Sequence, residues 1–120
     1  MDIYEITVTG EIRKHDMQEG ATLATLQGLV GGLIQHLRYP IKGVDAWVNE
    51  EGKYAPWTDE DGNVHEGLPF NPTATRIMAG AGLLFEGDFI SGPMILTTCN
   101  EEGETQGLEG ETAERALALV

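Results

Sequence analysis

"VNEEGK" (residues 48–53), "TDEDGN" (58–63) and "CNEEGE" (99–104) each write Asn or Asp, two acids and Gly in succession. How that motif is read decides the fold. A type I turn favours Asn or Asp at its first position and Gly at its fourth, where left-handed backbone lets a hairpin close on a bulge. Asn49-Glu50-Glu51-Gly52, Asp59-Glu60-Asp61-Gly62 and Asn100-Glu101-Glu102-Gly103 all fit. Strand-type residues flank them: "GVDAWV" before the first, "YAPW" between the first two and "MILTTC" before the third. Turns set this way put Val48 opposite Tyr54, Trp57 opposite His65 and Leu96 opposite Leu108. Pro56 confines its own strand to an edge. The competing reading is a calcium loop in "DEDGNV", with acids at positions one and three and Asn at five. Such a loop requires Gly at six and Glu at twelve, where this chain has Val64 and Phe70. The motif therefore predicts three hairpin turns with solvated carboxylates and no metal.

Working outward, "IYEITV" alternates, with Tyr4, Ile6 and Val8 on one face of a half-buried strand and Glu5 and Thr7 on the other. Residues 10–21 are polar and read as a loop or a frayed strand extension. In "TLATLQGLVGGLIQHLRYP", Leu23, Leu26, Val30, Leu33, Ile34 and Leu37 recur at helical spacing, so a long helix is expected. Thr22 is placed to cap it and Pro40 to stop it. Gly28, Gly31 and Gly32 inside it cost about 1 kcal/mol each relative to Ala, so a close neighbour is expected at the face shared by Gly28 and Gly32. "NPTATRIMAGAG" predicts a second helix, capped by Asn71, begun by Pro72 and ended by Gly80 or Gly82. Its inward face is Ala74, Ile77, Met78 and Ala81; Thr73, Thr75 and Arg76 face out. "GDFISGPMILTT" is a buried strand bent near Gly92-Pro93, and "GETAERALALV" is a short helix with acids at its start. The expected architecture is a single α+β domain, 1–120: a mainly antiparallel sheet with hairpins, packed by one long helix plus two short helices.

The composition narrows the function classes. Net charge is -13, and it is lopsided: residues 1–42 hold five acids against four bases, and residues 43–120 hold fifteen against three. Such a field repels phosphate backbones, which argues against direct nucleic-acid binding and suits a basic partner. No apolar run reaches the roughly 18–20 residues of a membrane span. The single cysteine, Cys99, has no internal disulfide partner, and the start of the chain lacks signal-peptide features. A cytoplasmic location is expected, with no membrane partner.

Chemistry-bearing clusters are few. His15, His36 and His65 are far apart and lack metal-ligand spacing. Cys99 has no cationic neighbour in sequence to lower its pKa. "GAGLLF" imitates part of a dinucleotide fingerprint but follows a helix and lacks the third Gly. These observations predict no enzyme activity and no cofactor. One ligand site is open: the start of the second helix, where Asn71, Thr73, Thr75 and Arg76 are placed to hold an anion or a nucleotide phosphate. An interface is the other possibility, built from Glu50, Glu51, Asp59, Glu60 and Asp61 with Tyr54 and Trp57, and Phe70 close by.

Taken in order, "LQGLVGGLI", "VNEEGK", "FNPTAT" and "GDFISGPMILT" resemble a small domain family of unknown function found in bacteriophages, mobile elements and actinobacteria. The resemblance spans residues 22–110. It implies a phage or mobile-element context, with Gly31, Gly32, Asn49, Gly52, Asn71 and Pro72 as fold-specifying positions. "YAPWTDEDGNVHEG" looks like an elaboration on that pattern. The expected function is a non-enzymatic accessory protein that binds a host protein, acting as an inhibitor of a defence or DNA-binding protein through its acidic surface. The alternatives are a small-molecule or nucleotide-binding domain, with homo-oligomerisation open, and a purely structural or interaction domain.

Overall fold

The computed structural model describes residues 1–120 as eight strands and three short helices. Strands β1 (Asp2–Ile6) and β2 (Ile12–Asp16) form an N-terminal hairpin, followed by α1 (Thr22–Val30). Strands β3 (Ile34–Arg38) and β4 (Asp45–Asn49) form a second hairpin, and β5 (Pro56–Thr58) and β6 (Val64–Glu66) a small separate one. Then come α2 (Pro72–Gly80), β7 (Met94–Cys99), β8 (Thr105–Gln106) and α3 (Gly110–Leu117). The main sheet runs β2-β1-β7-β4-β3, with β8 on β7, and every pairing is antiparallel. The fold is α+β. No helix is long and apolar enough to cross a membrane.

Strand alternation sends side chains to two cores. Tyr4 and Ile6, Ala46 and Val48, and Met94 and Leu96 meet Ala74, Ile77 and Met78 of α2 and Ala113 and Ala116 of α3. Ile3, Trp47 and Ile95 meet Leu26 and Val30 of α1 on the other face. The sheet is thus covered on both sides. Two buried side chains tie these layers together. The Tyr39 hydroxyl donates to the Ala116 carbonyl at 2.7 Å, and burial pushes the phenol up to about 12, against a small opposing pull from Arg76. The Asn71 side chain, fully buried, joins the start of α2 to Ile6 of β1 and to Gly92 ahead of β7.

The long helix is a correction. Helix α1 covers nine residues and stops at Gly31, whose φ of 80° gives the left-handed cap a Cβ-bearing residue resists. Thr22 does not cap it; Ala21 does, without a side-chain bond. Ile34–Arg38 is instead an alternating strand paired with β4. The helical stripe that suggested one long element includes Leu23 and Leu33, and both are exposed. Gly32 does meet a close neighbour: a Cβ there would stand 2.9 Å from the Asn49 amide nitrogen, which donates to the Val30 carbonyl. Gly28 faces open space. The polar stretch after β1 holds a true strand, β2, which needs no apolar face because it lies at the sheet edge with most residues exposed. On α2, Ala81 falls past the last turn and is exposed.

Two of the three acidic quartets close hairpins as expected. Asp59–Gly62 joins β5 to β6 with Trp57 opposite His65, and Asn100–Gly103 joins β7 to β8. Leu108 lies beyond that second ladder, donating its amide to Asp2. The first quartet is a turn but not a hairpin. The Asn49 side chain accepts from Glu51, yet Val48 pairs with Gln35 in β3 rather than with Tyr54. Gly52 does not take a left-handed φ; it is required because a Cβ would come within 2.9 Å of the Ser91 carbonyl. The chain turns again, with Tyr54 and Ala55 both bonding to Glu51, before entering β5.

Since β4 and β7 are antiparallel neighbours, the turns that follow them point to opposite ends of the sheet. Glu50 and Glu51 lie at one end and Glu101 and Glu102 at the other. The β5–β6 hairpin is fastened at the Glu50 end, where Leu68 donates to the Gly52 carbonyl. The acidic half of the sequence is therefore two separate anionic ends rather than a continuous surface.

Candidate functional site

At the Glu50 end the β3–β4 hairpin, the turn that follows it and the segment after α2 enclose a cleft of about 250 Å³. One wall is Gln35 and Leu37 of β3 with Val48 of β4; the turn adds Glu50, Lys53 and Tyr54. The opposite wall is Leu84, Asp88, Phe89 and Ser91, brought there by the return of the chain from α2 toward β7. The walls are joined by Lys53. Its ammonium binds the Asp88 carboxylate and lies over the Phe89 ring, 4.8 Å from the centroid. That bond holds the Asp88 carboxyl below its ordinary range, helped by the Phe89 backbone amide at 2.8 Å.

The rim is aromatic. Tyr54 and Phe89 line the opening, 80% and 38% exposed, and Phe70, 53% exposed, meets Phe89 edge-on at 5.9 Å; Phe85, next to Leu84 of the wall in the chain, is 87% exposed. Beside them the β5–β6 hairpin stacks Trp57 on His65 with ring centroids 4.5 Å apart. The Trp57 indole donates to the Gly67 carbonyl at 2.5 Å, fixing the hairpin to its stem. Asp59 serves the turn itself: one oxygen accepts from the Asp61 and Asn63 amides and the other meets His65 Nε2 at 2.8 Å. These bonds, His65 first, pull the Asp59 carboxyl down to about 2.

The sequence-derived interface set is thus brought to one end of the molecule but divides by role. Glu50, Glu51, Glu60 and Asp61 are exposed, Tyr54 projects into solvent, and Trp57 and Asp59 build the hairpin. Lys53, Asp88, Phe85 and Phe89 were missed. Two Phe residues flanking an acidic Gly turn in "FEGDF" were the available signal.

The start of α2 is arranged differently. Asn71 is fully buried: its side-chain oxygen caps Ala74 at 3.0 Å, and its nitrogen donates to Ile6 at 3.1 Å and Gly92 at 3.0 Å. The Thr75 hydroxyl accepts from the Ile90 amide at 2.9 Å, and Arg76 donates to the Leu119 carbonyl at 3.1 Å. Thr73 and Thr75 are half-buried, and the Thr73 hydroxyl lies against Gly10. Three of the four proposed anion ligands already have protein partners, and they do not converge on one point. The cleft, by contrast, gathers ring faces, a cation and carboxylates at one opening, groups suited to holding another molecule.

The chain belongs to the family described as Domain of unknown function (DUF3846), whose model matches residues 1–120. No curated protein and no solved structure matches it.

Proposed function

We propose that this chain is a non-enzymatic accessory protein of a phage or mobile element and acts by binding a host protein. The observation that carries the reading is the set of exposed aromatic rings at the cleft: Tyr54 and Phe89 line it, Phe70 meets Phe89 edge-on, and Phe85, almost bare, follows Leu84 of its wall in the chain. Single exposed apolar residues are ordinary, but rings gathered at one opening are the side chains that dominate protein–protein binding energy. Residues 50–66 surround them with six acids and one base, so long-range attraction favours a basic partner and weakens with salt. Because the acidic turns lie at opposite ends of the sheet, docking is local to this end and does not depend on imitating a continuous phosphate track.

The test is capture from a bacterial host lysate at low and high salt, with the wild type and the Tyr54→Ala/Phe85→Ala double variant as baits. A basic partner retained at low salt, released at high salt and lost with the double variant is the expected result. Equal capture by both baits, or no salt-sensitive partner, overturns the proposal.

A further inference from the structure

We infer that the cleft receives an extended basic segment of the partner, laid along the outer edge of β3 with a Lys or Arg side chain in the opening between Tyr54, Phe89 and Glu50. This deepens the proposed binding function and rests on it. Three independent observations converge here.

The first is an open strand edge. β3 ends the order β2-β1-β7-β4-β3, and the backbone of residues 34–38 makes no hydrogen bond outside its ladder with β4. Leu33 accepts from Glu50 across that ladder, so by antiparallel alternation Ile34 and His36 turn their amides and carbonyls outward. Such an edge is a template for one more strand.

The second is register between edge and cleft. Gln35 and Leu37, two apart and therefore on one face of β3, line the cleft wall. Side chains at alternate positions of an added strand would extend that face beside them. Main-chain bonds would hold the segment, and the opening would select one of its side chains.

The third is the chemistry of the opening. Lys53 already demonstrates it: an ammonium rests on the Phe89 ring and binds the Asp88 carboxylate. The Tyr54 ring is almost free, and the exposed Glu50 carboxylate has no cation paired with it. A second cation therefore finds a ring face and a carboxylate at the same mouth. The acids at 51, 60 and 61 add attraction for the flanking positions.

The experiment is selection of a yeast-displayed random octapeptide library on the purified full chain, with binding of an enriched peptide then measured on variants. Enriched sequences are expected to carry Lys or Arg with apolar residues two positions away. Glu50→Lys is expected to weaken binding at least about tenfold, a change of about 1.4 kcal/mol. Methylating the backbone nitrogens of the central peptide residues should abolish it, and amide resonances of Ile34 and His36 should shift on titration with the unmodified peptide. Both residues to be varied, Glu50 and Tyr54, are exposed, so folding is retained and checked by thermal denaturation. No enrichment, enrichment without basic residues, or binding indifferent to Glu50→Lys and Tyr54→Ala overturns the inference. Self-association removed by the same substitutions also overturns it, since a second copy then occupies the edge. If lysate capture depends on Tyr54 and Phe85 while the peptides fail, the wider binding function survives and only this segment-in-cleft inference falls.

Discussion

Replacing Asn71 with Ala isolates the contribution of a single buried amide. The side chain is fully buried and makes three bonds: to Ala74 in α2, to Ile6 at the end of β1 and to Gly92 before β7. Losing the helix cap costs about 1 kcal/mol. Each of the two carbonyls left without this donor costs about 1–3 kcal/mol, with the lower half appropriate because a carbonyl oxygen keeps a second lone pair for another donor. Together the loss is roughly 3–5 kcal/mol, a large share of the 5–15 kcal/mol that holds a domain of this kind folded. At about 4 °C per kcal/mol for a chain of this size, the melting temperature should fall by about 12–20 °C. Asn71→Asp separates the roles: it keeps the capping oxygen but replaces the donor with an anion facing two carbonyls, so it should be no better than Ala. Urea unfolding followed by circular dichroism measures both variants. If Asn71→Ala costs less than about 1 kcal/mol, the side chain is only a helix cap and the tie between β1 and β7 is wrong.

Other outcomes follow from the same geometry. Gly67→Ala places a Cβ against the Lys53 carbonyl at a φ of 86°, so it should cost about 2–3 kcal/mol and free the Trp57 indole, read as a red-shifted fluorescence maximum. Gly20→Ala, at a φ of 82° with open space around it, should cost only about 1 kcal/mol, read in the same denaturation series. The Asp59 carboxyl, lowered to about 2 from 3.8, favours folding in its ionised form. Its contribution is whole above 3.8 and fades as pH falls toward 2; Trp57 fluorescence should follow that change, and Asp59→Asn should remove it. Tyr54→Ala should leave the melting temperature within about 2 °C, since the ring is 80% exposed, and lower partner capture instead.

Local chemistry was legible in the sequence; long-range pairing was not. Asn71-Pro72 announced a helix start because capping and a preset φ are properties of neighbouring residues, and α2 begins there. Asp59–Gly62 and Asn100–Gly103 likewise carry their turn conformation with them, with Gly62 and Gly103 at φ near 80°. The stretch 22–40 misled because Val30, Ile34 and Leu37 satisfy helical spacing while Ile34–Arg38 is too short for its alternation to compete. The glycine pair at 31–32 was the stronger signal: one cap and one close contact, both at the break. Strand β2 was hidden because an edge strand with solvent on most positions need not be apolar. Nothing local specifies that β7 enters between β1 and β4, and the cleft depends on that insertion. Tyr54 and Phe70 were visible as apolar residues in polar loops, but Phe89 joins them only through tertiary packing.

The position of β7 also constrains how the protein is made. Residues 94–99 supply the central strand, yet the hairpins on either side, β1–β2 and β3–β4, leave the ribosome long before it. Each can form by itself, but each then carries a bare inner edge and apolar side chains awaiting a partner. The nascent chain must keep two sticky ribbons from pairing with one another until the wedge between them has been synthesised. Slow translation through residues 50–93 would lengthen that exposure, and chaperone demand should rise with it.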